Sequence, residues 1–410
     1  MAAGGIFEGL QGQLEWQRSL YEHFHRHPEL SLQEHATAER IEQELTELGL
    51  APRRVGGTGV VAVLENGTGP TVLARADTDA LPVTEATGLP YASETPGVMH
   101  ACAHDMHIVA LLGAARLLHE HRDAWSGTYI ALFQPGEETA AGARAMLDDG
   151  LVAQLPRPDV ALAQHVMATE AGVIGTTAGP VLSAGDSLRI TVHGRGAHGS
   201  MPHNAVDPVV LAASIVLRLQ GIVSREVPPG AFAVVTVGAS NAGSKSNIIP
   251  DRAELLLNLR TYDARIRELV IGAIERIVRA ECQASGCPRE PELEYYDQFP
   301  LTANDAAVDR RVTDAFTAHF GADRVVRTDP VTASEDFSRI PDAFGVPYAY
   351  WFVGSTPREA LAGGGPVPAN HSPSFAPAVD PTLETATRAH AVAALAHFGT
   401  DARTDTEEQP

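Results

Sequence analysis

Cysteine is scarce in this sequence, with 3 residues among 410: Cys102, Cys282 and Cys287. Three cysteines cannot build a disulfide framework, so we expect a protein of the reduced cytoplasm. The N-terminus lacks the basic start and apolar run that mark a signal peptide. No uninterrupted apolar run is long enough to span a bilayer, so we expect no membrane partner.

Basic side chains are also few, because 30 Lys and Arg stand against 51 Asp and Glu, giving a formal net charge of −21. A nucleic-acid partner would require a basic face for its phosphates, so we exclude this class of function. The hydrophobic and charged fractions, 44% and 20%, are those of an ordinary globular protein. A chain of 410 residues exceeds the size of one hydrophobic core, so two domains are expected.

The hydrophobic pattern divides the chain into two kinds of region. Up to residue 185, short apolar runs alternate with helical patterns, which predicts an α/β domain with a mixed, largely parallel sheet. Residues 186–297 read β-α-β-β-α-β, the order of a ferredoxin-like unit. Residues 298–410 then return to the first kind of pattern. We therefore predict a discontinuous catalytic domain (1–185 and 298–410) with an inserted satellite domain (186–297).

Two carboxylates, Asp77 and Asp79, follow the predicted strand 71–76. In open α/β sheets ligands bind beyond the carboxyl ends of strands, where a carboxylate can orient a metal-ligating imidazole. A turn in which aspartate caps the next segment explains the same pair. The pair alone leaves both interpretations open.

A denser group of donors occupies residues 100–107, with three histidines and one cysteine: His100, Cys102, His104 and His107. Nitrogen and sulfur donors at this density suit zinc and related ions. The isolated cysteine lacks a second Cys-x-x-Cys pair, which argues against a structural zinc knuckle. We expect metal binding here. His107 could orient a metal ligand from outside the ligand set or simply pack in the helix that follows, and we favour packing.

Further candidates follow other predicted strands. Glu137 and Glu138 lie after strand 128–133, and adjacent carboxylates on a turn can divide between metal binding and proton transfer. Capping of a helix N-terminus is the plainer alternative for them. His165 lies at the end of a third predicted strand, 160–164, and His371 lies much further along the chain. Because the strand ends converge on one edge of one sheet, we expect a shared site.

The chain resembles the M20 metallopeptidase family, in particular its amidohydrolase branch of aminoacylases, hippurate hydrolases and auxin-conjugate hydrolases. Seven stretches spread over nearly the whole chain carry the resemblance: HRHPELSLQE (25–34), RADTDALPVTE (75–85), GVMHACAHDMH (97–107), FQPGEE (133–138), GRGAHGSMPH (194–203), ASEDFS (333–338) and NHSPSF (370–375). Two departures from the family pattern, Ala103 for Gly and Gly136 for Ala, remove no catalytic group.

The resemblance implies a zinc-peptidase-like domain with a ferredoxin-like dimerisation domain, and two divalent metal ions, Zn or Mn, in each subunit of a homodimer. The implied metal ligands are Cys102, His104, Glu138, His165 and His371. It makes Glu137 the general base and acid, Asp79 a supporting carboxylate, and His198 an oxyanion donor that reaches the partner subunit's site.

Two weaker candidates complete the predicted site. Asn247 matches a family position near the substrate, although a turn before a strand explains it equally well. Arg260 could meet a substrate carboxylate or could be a surface residue at a strand end. The resemblance implies hydrolysis of N-acyl amino acids; a dipeptidase of the same fold and a catalytically silent protein that binds acyl amino acids remain alternatives.

Overall fold

The computed structural model describes residues 3–398. Its α-helices, in chain order, are α1 (Ala3–Ile6), α2 (Leu10–Arg26), α3 (His35–Glu47), α4 (His104–Glu120), α5 (Gly142–Asp148), α6 (Leu151–Gln154), α7 (Pro208–Arg225), α8 (Ala264–Ala284), α9 (Ala306–Phe320), α10 (Arg339–Phe344), α11 (Arg358–Ala362) and α12 (Val379–Leu395).

The strands, likewise in chain order, are β1 (Arg53–Val55), β2 (Gly59–Asn66), β3 (Thr71–Asp77), β4 (Gly127–Gln134), β5 (Val160–Glu170), β6 (Ile174–Thr176), β7 (Gly179–Leu182), β8 (Ala184–His193), β9 (Ala197–His198), β10 (Ala233–Ala242), β11 (Ile248–Ile249), β12 (Arg252–Thr261), β13 (Glu292–Phe299), β14 (Thr302–Asn304), β15 (Val325–Arg327) and β16 (Tyr348–Thr356).

The described residues form two compact units. The first comprises residues 3–181, 303–329 and 336–398, and the second comprises residues 182–302 and 330–335. The predicted insert, 186–297, lies within the second unit, which is longer at both ends. Residues 330–335 join the second unit because Ala333 accepts a hydrogen bond from Ser183 N–H at 2.8 Å.

The first unit contains an eight-stranded sheet in the order β1-β2-β4-β3-β5-β16-β6-β15. Its central strands β4, β3, β5 and β16 run parallel, whereas β2 pairs antiparallel with β4 and β6 pairs antiparallel with β16. The sheet is therefore mixed and largely parallel, as predicted. Its central strands are nearly continuous apolar runs, because both faces of such a sheet are covered.

Helix α4 lies in the middle of the first core. Nearly all of its side chains are buried, from His104 through Leu118, and it packs against α2 and α12. An α-helix that is apolar all round can be stable only when it is surrounded on every side. The N-terminal end of α4 is therefore held firmly, and this end carries His104.

The second unit contains a four-stranded antiparallel sheet in the order β10-β12-β8-β13. Apart from the two-residue strands β9 and β11, which pair with each other, the elements follow the order β8-α7-β10-β12-α8-β13 along the chain, which is the ferredoxin-like order. Strand β12 alternates between buried and half-buried residues, because only one face of this sheet lies against a core. Helices α7 and α8 contribute the other side of that core.

Helix α7 is the one helix of residues 3–398 that is long and apolar enough, by length and composition alone, to cross a membrane. Its mean hydropathy is 1.4 over 18 residues. A helix that packs one face on a sheet passes the same test, and α7 buries Leu211, Ile215, Leu219 and Ile222 in the second core.

Candidate metal centre

Three neighbouring strands bring the predicted site residues to one edge of the first sheet. Strands β4, β3 and β5 are parallel, so their carboxyl ends lie on the same side. Asp79 follows β3 by two residues, and Glu137 and Glu138 begin a short 3-10 helix (Glu137–Thr139) after β4. His165 lies inside β5, not at its end as predicted, because β5 continues to Glu170 beside β16.

The ligand-bearing turns have unusual backbone conformations. Ala103, between Cys102 and His104, has φ of 65°, and His371 itself has φ of 69°. Left-handed conformations at residues with a Cβ are costly and are maintained only where the surrounding structure enforces them. Gly136, just before the two glutamates, has φ of 55°, which glycine adopts readily.

The five residues expected to bind metal come together in the first unit. Cys102 Sγ lies 3.4 Å from His165 Nε2, and Glu138 Oε1 lies 3.2 Å from His371 Nε2 and 3.9 Å from His104 Nε2. One ligand atom from each of Cys102, His104 and Glu138 lies within 4.8 Å of the others. Donors about 2.0–2.3 Å from one tetrahedral ion are separated by about 3.3–3.8 Å, so this spacing fits shared cations.

Unsatisfied polar atoms lead to the same conclusion. His104 Nε2 and Glu138 Oε1 are buried and have no hydrogen-bond partner. Buried polar atoms are costly when unpaired, and these two are too far apart to bond to each other. A cation between them would satisfy both, so the residues present fit a metal centre.

The imidazoles of the cluster differ in their charge preference. Burial lowers the pKa of His165 well below its ordinary value, which favours the neutral form that ligates metal. The nearby Cys102 and Glu138 raise the pKa of His371 to about 10. Burial opposes the charged form of His104, but Asp77 and Asp79 outweigh it and raise its pKa. Binding of a cation to this cluster must therefore release protons.

Asp79 contacts both His104 and the turn that carries Glu137 and Glu138. Its carboxylate accepts hydrogen bonds from the N–H groups of Glu137 (3.1 Å) and Glu138 (3.0 Å) and from the Ser31 hydroxyl (2.6 Å). His104 Nδ1 lies 3.3 Å from the same carboxylate. Burial opposes ionisation, but these partners prevail and hold the pKa of Asp79 below its usual value. Asp79 therefore positions a ligand and both glutamates.

The comparisons with known proteins agree with this geometry. Residues 73–396 match the model of peptidase family M20/M25/M40. The chain belongs to this family. It is 40% identical to the N-acetyl-L-cysteine deacetylase of Bacillus subtilis (78% of this chain, 77% of the relative). It is 37% identical to the hippurate hydrolase of Campylobacter jejuni (83% and 88%). The resemblance stated from the sequence is confirmed.

A solved structure extends the likeness to the whole fold. The Bacillus subtilis YXEP protein, described as a dinuclear metal binding peptidase from the M20 family, superposes with a TM-score of 0.79 at 29% identity. The match covers 95% of this chain and 100% of that one. Together with the family match and the two enzymes, this makes the chain a metal-dependent hydrolase that acts on amide bonds.

The remaining predicted residues lie in the second unit. His198 ends β9, which pairs with β11, and its Nδ1 bonds the Ser200 hydroxyl at 2.7 Å. Asn247 lies on the loop before β11, and its carbonyl accepts from Gly199 N–H at 2.8 Å. The short antiparallel pairing of β9 with β11 therefore holds His198 and Asn247 in neighbouring positions.

Arg260 lies in β12 and is half-buried, not on an open surface. Its Nε donates to Asn258 Oδ1 at 2.9 Å, and its Nη1 donates to the Ser334 hydroxyl. Burial lowers the pKa of the guanidinium from its usual value, and Asp186 opposes that shift. Asp186 is itself paired with Arg267. Arg260 thus lacks a carboxylate bonded directly to it among the ion pairs of the described residues.

Several residues near the cluster were not predicted as site residues. Glu34, fully buried, accepts from Gly136 N–H at 2.8 Å and supports the turn before the glutamates. Arg75 bonds Asp77 at 2.8 Å and Gln134 at 3.0 Å beneath the same edge. Glu34 and Arg75 both lie in the quoted family stretches, and this was the one feature of the sequence that could have marked them as site residues. The hydrophobic periodicity does not distinguish them from other polar residues.

His25 was not predicted as a site residue either. It lies in the last turn of α2, and its buried ring bonds Asp105 at 2.6 Å and Glu85 at 3.3 Å. Asp105 is the neighbour of His104 in α4. The N-terminal helix is therefore tied by charge to the helix that carries a metal-ligand candidate.

Proposed function

We propose that this protein hydrolyses the amide bond of small N-acyl amino acids at the metal centre of the first unit. The observation that carries the proposal is the gathering of five donors from distant parts of the sequence, at separations of 3.2–3.9 Å between neighbouring donor atoms. The activities of the deacetylase and the hippurate hydrolase support the substrate class, because acetyl and benzoyl amino acids share the scissile bond.

Two divalent ions would be held by the five donors: Cys102, His104, Glu138, His165 and His371. Such ions polarise the amide carbonyl and lower the pKa of an attacking water. A thiolate favours softer ions than Mg²⁺ or Ca²⁺, and imidazole and carboxylate complete a set that suits Zn²⁺ or Mn²⁺. The dinuclear metal binding of the related Bacillus subtilis YXEP protein supports the number of ions.

Glu137 is the proposed general base and acid. Its backbone N–H is fixed by Asp79, and its side chain is only 6% exposed in the turn beside Glu138. The carboxylate would take a proton from water as the oxygen attacks the carbonyl carbon. It would then deliver that proton to the departing nitrogen as the C–N bond breaks, which leaves a free carboxylic acid and an amino acid.

Three residues of the second unit receive proposed roles from the family resemblance. His198 would donate a hydrogen bond to the oxyanion that develops on the carbonyl oxygen, acting on the partner subunit's site. Arg260 and Asn247 would bind the substrate carboxylate and its surroundings. The guanidinium of Arg260 is bonded to hydroxyl and amide oxygens, so its positive charge remains available to an anion.

A cytoplasmic homodimer is the proposed assembly. Helix α7 exposes four large apolar side chains, Val209, Val210, Leu217 and Val223, at 45%, 62%, 74% and 39%. Large exposed apolar side chains along one helix are a feature of interaction surfaces, and a two-fold interface lets one surface cover its own copy. The scarcity of cysteine supports the reduced compartment.

The test is a substrate panel in which N-acetyl and N-benzoyl amino acids are compared with unblocked dipeptides. We expect turnover of the blocked substrates. Turnover confined to dipeptides would favour the dipeptidase, and binding without turnover would favour a silent binding protein. Glu137→Gln should keep the metal content and lose about 10²–10⁴-fold in kcat, the range that general acid–base catalysis typically contributes. A variant with wild-type turnover would remove Glu137 from the mechanism.

A further inference from the structure

Val166 follows His165 in the chain. Its backbone N–H and its backbone carbonyl both form hydrogen bonds with side chains. Its N–H donates to His107 Nε2 at 2.8 Å. Its carbonyl accepts from His165 Nδ1 at 2.8 Å and from Asn370 Nδ2 at 3.0 Å. Three side chains from three separate segments therefore meet at one residue of β5.

Within residues 3–398, Val166 has no partner strand on the side of β5 that faces β3. Strand β3 pairs with β5 only as far as Arg75 and Ala163, and the chain then turns toward Asp79. Beyond Ala163 the edge of β5 has lost its partner strand, and backbone groups left unpaired in a buried place are costly. His107 and Asn370 supply the partners that a longer β3 would have supplied.

The bonds of His107 also determine its protonation. A backbone N–H can only donate, so His107 Nε2 accepts and carries no proton. The ring proton is then on Nδ1, which donates to Asp77 Oδ1 at 2.5 Å. Both nitrogens of the neutral ring are thereby used. Although His107 lies within 4.8 Å of donor atoms of His104 and His165, it has no lone pair left for a cation.

The same reasoning fixes the orientation of His165. The Val166 carbonyl can only accept, so His165 Nδ1 carries the proton and Nε2 carries a lone pair. Nε2 is the atom that lies 3.4 Å from Cys102 Sγ. Asn370, bonded to the same carbonyl, is the neighbour of His371, and its amide nitrogen lies 3.8 Å from the Cys102 sulfur.

We infer that His107 and Asn370 are positioning residues that lock the Val166 peptide, and that this peptide sets the orientation of His165 and the chain at His371. The inference rests on the proposed metal centre. Groups that orient metal ligands from outside typically contribute 10–100-fold to metal affinity. We expect this loss from Asn370→Ala, which removes one donor, and a loss at least as large from His107→Gln.

The test uses cobalt(II) added to the metal-free full-length chain, with affinity measured by competition and the thiolate-to-cobalt and d–d absorption bands recorded. We expect Asn370→Ala and His107→Gln to bind cobalt about 10–100-fold more weakly, with shifted bands. Absorption bands report the ligand geometry directly, so loss of stability alone does not move them. If His107→Gln fails to fold, Asn370→Ala decides the matter.

The matched control is Asn304→Ala. Asn304 is a buried asparagine of the same unit whose amide donates to two main-chain carbonyls, those of Thr177 and Tyr350, both at 2.8 Å. It should lose stability yet keep wild-type cobalt affinity and bands. If Asn370→Ala has wild-type cobalt affinity and absorption bands, the positioning inference is overturned but the proposed metal centre is not. Absence of cobalt binding in the wild type would overturn the metal centre, and the inference with it.

Discussion

At the scale of single residues, Asp79 contacts several members of the cluster at once. One carboxylate holds the turn of Glu137 and Glu138, the hydroxyl of Ser31 and the approach to His104. The N–H groups of Glu137 and Glu138 and the Ser31 hydroxyl each donate a hydrogen to Asp79, so a negatively charged acceptor suits all three. An amide would present its own hydrogens to at least one of these partners.

Asp79→Asn should therefore lower the free energy of unfolding by about 2–3 kcal/mol, the cost of a lost charge-assisted bond and an unpaired buried group. We expect kcat to fall by about 10–100-fold as well, because ligand and base lose their common support. Urea unfolding and steady-state kinetics measure the two effects. Ser31→Ala, which removes only one donor, should cost about 1 kcal/mol. Equal free energies of unfolding and equal kcat values for Asp79→Asn and the wild type would refute the positioning role of Asp79.

Sequence reasoning identified the chemistry of single residues better than their contacts. The metal-ligand candidates were recognisable because histidine, cysteine and carboxylates gather in few segments. Ser31 and Glu34 were not, because a serine or glutamate near a helix start has many ordinary uses. Their contacts join residues 48 and 102 positions apart, and only the folded chain brings these together.

At the scale of secondary-structure elements, the charged cluster of His25, Glu85 and Asp105 links the end of α2 to the start of α4. Burial opposes the charge on His25, but the two carboxylates prevail and raise its pKa to about 9 from 6.5. A group with a raised pKa in the folded state stabilises it below the unfolded pKa. This contribution is lost as the pH rises through the folded pKa.

The predicted consequence is a pH-dependent effect of His25→Gln. The variant should be less stable than the wild type at pH 6, and the difference should shrink as the pH rises from 6.5 through about 9. Urea unfolding at pH 6, 7.5 and 9.5 measures it. His203→Gln, at an exposed position of the second unit, should produce no such trend. A pH-independent difference for His25→Gln would contradict the charged cluster.

The long elements were predictable and the short ones were not. Period-3.6 and period-2 patterns are recognisable in elements as long as α8 and β12, which contain 21 and 10 residues. Strands of two or three residues, such as β6, β9 and β11, carry too few side chains for a period. Strand β5 exceeded its predicted end because β16 pairs with it beyond the apolar run.

At the scale of the whole molecule, the proposed homodimer makes a direct prediction about α7. Leu217→Lys places a charge at a side chain that is 74% exposed and that a dimer of this kind would cover. We expect the variant to behave as a monomer in light scattering at concentrations where the wild type is a dimer. Val326→Lys, at a 42% exposed position of the first unit, should leave the mass unchanged. A dimeric Leu217→Lys variant would remove α7 from the interface.

The fold class was foreseeable because alternating strands and helices, followed by a β-α-β-β-α-β run, leave few topologies open. The order of strands in the first sheet was not, since sequence patterns do not say which strand lies beside which. The attachment of residues 330–335 to the second unit was likewise hidden, because it depends on backbone bonds made by Ser183 and Ala333.

The most direct measurement is the number of divalent ions bound per chain, determined by elemental analysis after reconstitution with zinc or manganese. We expect two ions in the wild type and a loss of stoichiometric binding in Cys102→Ala. Cys282→Ala, which changes a buried cysteine of the second unit, should keep both ions. A wild-type chain without stoichiometric metal, or equal metal content in Cys102→Ala and Cys282→Ala, would contradict the shared metal centre.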